Sequence, residues 1–94
     1  MMKGKYLTQE IISDFKENLM LAERSAATVE KYIRDISAFS NFADGAEITK
    51  ETVIAYKKHL QDSYAVRSVN SMLASINSLF EFLGWHDLKV KSIK

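Results

Sequence analysis

The chain has no proline in 94 residues and only three glycines, so almost nothing in it forces the backbone out of a regular helix. Two of those glycines, Gly45 and Gly84, come just after the apolar ends Phe42-Ala43-Asp44 and Phe82-Leu83. Glycine tolerates the left-handed conformation that closes a helix, so both positions read as helix stops. Between polar breaks the apolar residues recur at steps of three and four, which is the helical repeat.

Four helices are predicted on that basis. The first runs from about Thr8, a plausible N-cap, to Leu21, with Ile11, Ile12, Phe15 and Leu19 on one face. The second starts near Ser25 and ends near Ala43, with an apolar stripe of Val29, Tyr32, Ile33, Ile36, Phe39 and Phe42. The third starts at Thr49, ends near Asp62 and turns Val53, Tyr56 and Leu60 inward. The fourth runs from about Val66 to Leu83 through Val69, Leu73, Ile76 and Phe80, widened by Met72 and Leu79. The aromatics fall mostly on these stripes and read as core, and Trp85 reads as a cap on that core. The tail from Leu88 to Lys94 alternates apolar and basic residues. That pattern allows a short edge strand, but a linker is the reading adopted.

A chain of this length makes one domain, and an apolar content of 47% argues against disorder. Cysteine is absent, which excludes disulfides, thiolate metal sites and cysteine nucleophiles and fits a reducing cytoplasm. No apolar run approaches the ~18 residues of a membrane span, and the first residues lack the apolar stretch of a signal peptide. The net charge is +1. Residues 1–9 and 84–94 each carry +2, and the body between them is mildly acidic at −3. Basic tails fit simple solubility as well as an anionic partner. His59 and His86 have no paired acid or second ligand at metal spacing. No Ser-His-Asp pattern and no glycine-rich phosphate loop occurs.

Two helix surfaces stand out. On the fourth helix Arg67, Asn70, Ser71, Ala74, Asn77, Ser78 and Glu81 share one stripe. Solvent-facing stripes are usually filled by Lys and Glu, whereas Asn and Ser are mediocre helix formers. Short polar side chains let a helix approach another surface while offering donors and acceptors, and a major groove is wide enough to admit it. On the second helix Arg24, Thr28, Lys31 and Arg34 follow one flank, with Ser25 nearby and Glu30 and Asp35 beside the cations. Such groups bond phosphates. Read alone, the first surface also fits exposed small residues and the second a solvated charged face.

Three blocks together carry a resemblance. Residues 25–39 hold Ser25, Thr28, Tyr32, Asp35 and Phe39 at the spacing of a signature of the N-terminal, SAM-like core-binding domain of tyrosine recombinases (phage integrases). Residues 48–56 resemble that family's third helix and its capped start. Residues 67–83 resemble its last helix, opened by Ser68, Val69 and Asn70 and closed by Leu79-Phe80-Glu81-Phe82-Leu83. The likeness covers roughly residues 7–85. It departs where family members often carry Arg or Lys, at Ser71, Met72 and Asn77.

The resemblance implies an all-α, four-helix SAM-like orthogonal bundle: an N-terminal tail at 1–7, a core-binding domain at 8–85, and at 86–94 the start of a linker to a catalytic domain. It implies a DNA-binding role opposite that catalytic domain, in a parent recombinase that is cytoplasmic and bacterial or phage-encoded. Double-stranded DNA is the expected partner, along with other protomers of the parent. No cofactor, metal or small-molecule ligand is expected. The expected DNA contacts are Arg24, Ser25, Thr28, Lys31, Arg34, Arg67, Ser68, Asn70, Ser71 and Asn77, with base reading assigned to Arg67, Asn70 and Asn77. None of Tyr6, Tyr32, Tyr56 or Tyr64 is expected to act as a nucleophile. The alternative is a helical SAM-like protein-interaction module without DNA binding, which an exposed apolar patch would favour.

Overall fold

The computed structural model describes residues 4–94. Three of its helices begin where a hydroxyl can take up an unpaired backbone N–H. Thr8 accepts from Ile11 N–H to open α1 (Gln9–Leu21), and Ser25 accepts from Thr28 N–H to open α2 (Ala26–Ala43). Thr49 and Thr52 bond reciprocally to open α3 (Lys50–Ser63). The fourth helix, α4 (Val66–Leu83), follows Ala65 without a capping side chain. One turn of 3-10 helix, His86–Leu88, comes after it. The all-α expectation is met, and the helix ends fall within about a residue of those predicted. Gly84 closes α4 at φ 75°, and Trp85 N–H returns to the Phe80 carbonyl at 2.8 Å. At the end of α2, Asp44 itself turns left-handed at φ 51°, and Gly45 follows at φ 79°.

The apolar stripes meet in two clusters that share α2 and α4. Ile12, Phe15 and Leu19 of α1 pack with Val29, Ile36 and Leu79. Phe39 packs with Val53, Tyr56 and Leu60 of α3, with Val69, Leu73, Ile76 and Phe80 of α4, and with Leu88 and Val90 beyond it. Phe42 and Phe82, expected in the core, are each 39% exposed. They sit on its rim, Phe42 against the rings of Tyr56 and His59, and Phe82 against Phe15. Trp85 packs on the second cluster, as a cap should.

Both ends of the described chain are tied to the bundle. Ile48 N–H donates to the Lys5 carbonyl at 2.7 Å, and Leu7 packs against both clusters. Lys3, part of the basic N-terminal tail, lies outside the described residues. At the other end, Leu88 and Val90 are buried, so this segment lies on the protein instead of trailing from it. Lys89 is extended, the residues after it form no regular element, and no strand occurs among the described residues.

One polar network lies within this packing, where α2 crosses α4. The Asp35 side chain is buried, and its Oδ2 accepts from Lys31 Nζ at 2.6 Å and from Ser75 Oγ at 2.7 Å. Lys31 Nζ also donates to the Ser71 carbonyl and to Ser75 Oγ, both at 3.2 Å. Removing one member of a buried pair is costly because the other charge stays uncompensated. The Lys31 side chain is one-third exposed and can turn to water, whereas Asp35 cannot. Lys31→Met is therefore expected to lower stability by roughly 2–4 kcal/mol, and Asp35→Ala by less. Denaturant unfolding of the two variants checks the order, which reverses if Lys31 is the more dependent partner.

A second expectation concerns alkali. Tyr56 is buried against Phe39, and burial, then the nearby Asp35, then Tyr64 push its phenol up to about 12. The folded state thus keeps a proton that the unfolded chain loses above about pH 10. The stabilisation is fully present below pH 10 and is lost between 10 and 12, by roughly 2–3 kcal/mol in all. In stability measured from pH 9 to 12, Tyr56→Phe is expected to flatten that loss. An unchanged slope would remove Tyr56 as its cause.

Candidate nucleic-acid interface

The contacts between α2 and α4 run in opposite order along the two helices. Arg24, just before α2, shares a shallow cleft of about 260 Å³ with Tyr32, Ser78 and Glu81. Lys31 meets Ser71 and Ser75 in the middle. Arg34 shares a cleft of about 320 Å³ with Arg67, Ser68 and Ser71. The helices are therefore antiparallel, and one seam between them carries cations at both ends. The surfaces singled out on α2 and α4 meet along it.

All three arginines of the chain lie on this seam, and all three are exposed. None forms an ion pair among the described residues, where the pairs are Lys31–Asp35, Lys89–Glu81 and His86–Glu81. Lys89, which bonds Glu81, and then His86 hold that carboxylate below the usual range.

Four of the expected contacts have other partners. Lys31 is turned into the Asp35–Ser75 network, so its charge is compensated within the fold. This corrects its assignment as a phosphate neutraliser. Ser25 accepts from Thr28 N–H and donates to Thr28 Oγ1 at 2.9 Å, so its hydroxyl serves the helix start. Asn70 and Asn77 depart furthest. Their carboxamides hold the main chain of the C-terminal segment, Asn77 at Val90 and Asn70 at Ile93. With that segment docked, neither amide is free for a base edge, and this corrects their assignment as base readers.

The stripe on α4 thus divides by angle. At roughly 100° per residue, Asn70 and Asn77 form its edge toward the segment 88–94, and Ser71 forms its edge toward α2. Arg67, Ala74, Ser78 and Glu81 remain between. Ser75 escaped the sequence reading, although it interrupts the inward row Met72-Ser75-Leu79 with a hydroxyl. That lone polar residue in an apolar row was the available signal for a buried network, with Asp35 four residues after Lys31 as its counterpart.

Among the described residues no group of His, Asp and Glu has metal-binding geometry, and no helix is long and apolar enough to cross a membrane. Neither the curated proteins nor the solved structures compared with the chain include a match. A family model described as the phage integrase N-terminal SAM-like domain matches residues 12–87, from within α1 through the turn after α4. With four helices in the expected order and most of its length matched, the chain belongs to the family of phage-integrase N-terminal SAM-like domains.

Proposed function

We propose that this chain is the DNA-binding, core-binding module of a site-specific tyrosine recombinase, and that duplex DNA lies along the seam between α2 and α4. Cleavage and rejoining of strands are assigned to a separate catalytic domain of the parent protein, and Tyr6, Tyr32, Tyr56 and Tyr64 to structural roles.

The observation that carries this reading is that Arg24, Arg34 and Arg67 are all exposed on one seam without acidic partners among the described residues. Arginine is weakly hydrated and presents a planar fork that suits phosphate and guanine, so unpaired arginines gathered on one seam favour a nucleic acid over simple solvation. Arg24 and Arg34 are ten residues apart in sequence, or roughly 15 Å along a helix. That is comparable to the ~12 Å width of a major groove, so the two can reach phosphates on its opposite sides. Arg67 and Ser68 stand in the first turn of α4, whose N–H groups have no capping side chain. Those groups favour an anion. Ser71 and Ser78 lie along α4 between the Arg34–Arg67 end of the seam and the Arg24 end, and leave room for close approach.

With Asn70 and Asn77 engaged elsewhere, Arg67 is the residue assigned to a base edge. Thr28, Ser68 and Ser71 are assigned to uncharged backbone contacts, and Ser25, whose hydroxyl caps α2, to positioning Thr28. Sequence discrimination by this module alone is accordingly expected to be slight, with affinity near the ~10⁻⁴–10⁻⁶ M of non-specific complexes.

Binding to a duplex followed from low to moderate salt tests the proposal. Arg24→Gln/Arg34→Gln is expected to weaken binding and to reduce the slope of log K against log salt by about 1.8, since each phosphate contact contributes about 0.9. Binding by the unaltered chain that does not respond to salt, or a slope unmoved by this pair, overturns it.

A further inference from the structure

We propose that the groove between α3 and α4 is a docking site for an extended peptide segment read through its main chain, and that residues 88–94 fill it as a strap. The contacts name the ligand class. Asn77 donates from Nδ2 to the Val90 carbonyl at 2.8 Å and accepts from Val90 N–H at 3.1 Å. Asn70 treats Ile93 the same way, at 2.9 and 2.7 Å. Each carboxamide thus supplies one donor and one acceptor to a single residue, as a neighbouring β-strand would. From the opposite wall Lys57 Nζ donates to the Lys91 carbonyl at 2.6 Å, and Lys50 Nζ to the Lys89 carbonyl.

The spacing accounts for the fit. Asn70 and Asn77 are seven residues apart on α4, a rise of roughly 10.5 Å. Val90 and Ile93 are three residues apart, roughly 9 Å in a polyproline-II chain, whose threefold repeat brings both to one side; Lys89, just before them, has that geometry at φ −65° and ψ 143°. Two amides two helical turns apart therefore meet an extended backbone in register, antiparallel to α4. Side chains enter only at Leu88 and Val90, which are buried, and at Ile93, which is partly so. The site accordingly takes an extended segment with apolar residues at its first, third and sixth positions. The side chains at Lys91 and Ser92 are left unread. Lys89 makes only an exposed pair with Glu81, of the kind that contributes little. This docking stands whether or not the seam binds DNA.

Amide hydrogen exchange on the full chain tests it. Val90 and Ile93 amides are expected to exchange at least about tenfold more slowly than Ser92, which has no partner among the described residues. Asn77→Ala and Asn70→Ala are expected to remove that protection, with the amides of Leu73 and Ile76 as the control for an intact bundle. Ser92→Pro removes an N–H that bonds nothing among the described residues and is expected to leave Val90 protected. Lys91→Ala/Ser92→Ala is expected to do the same. Equal exchange at Val90, Ser92 and Ile93 in the unaltered chain overturns the proposal. So does loss of Val90 protection in the Lys91→Ala/Ser92→Ala variant, which would mean that side chains are read.

Discussion

The crossing of α2 and α4 organises this domain, and the Asp35 carboxylate lies at its centre. Asp35 joins a lysine of its own helix to a serine of the other. An apolar contact alone would let the two helices slide by a turn at modest cost. A slip of one helix along the other would part Asp35 from Ser75 and Lys31 from the Ser71 carbonyl, leaving buried polar groups without partners, so the network favours one register. That register aligns Arg34 with Arg67 at one end of the seam and Arg24 with Ser78 at the other. The arrangement of cations on the surface is thus a consequence of a polar contact beneath it.

The same helix serves three neighbours at once. One flank of α4 meets α2, its apolar face fills the core with Phe39 and Tyr56, and its other flank holds the C-terminal segment. This explains a composition that looked odd for a solvent-facing stripe. Serine and asparagine are poor choices for an exposed helix, and some of these residues are not simply exposed. Ser71 gives its carbonyl to Lys31 at the α2 crossing, and the two asparagines bond a main chain. What remains open to solvent between them is narrow, and Arg67 is its only cation.

Much of the fold was readable from spacing. The hydroxyl caps at Thr8, Ser25 and Thr49, the glycine at 84 and the apolar repeats mark elements that depend on contacts within a few residues. The site was less readable because its assignments turn on partners 13 to 44 residues away. Lys31 looked like one more cation on a flank, and only the fold brings Ser71 and Ser75 beneath it. Asn70 and Asn77 have the donors and acceptors to read adenine, and the same groups read a peptide backbone equally well. The choice between those ligands depended on where the tail goes, and alternation of apolar and basic residues alone did not fix that. The three arginines, by contrast, were expected at the surface and lie there.

The seam between α2 and α4 is the surface proposed to hold a duplex. Backbone amide shifts mapped during titration with a short duplex of mixed sequence test it most directly. The largest changes are expected at Arg24, Arg34, Arg67 and Ser71, with Val90 and Ile93 little moved. Changes confined to the lysines of α3 and the C-terminal segment, or no changes at concentrations well above those of non-specific complexes, would contradict it.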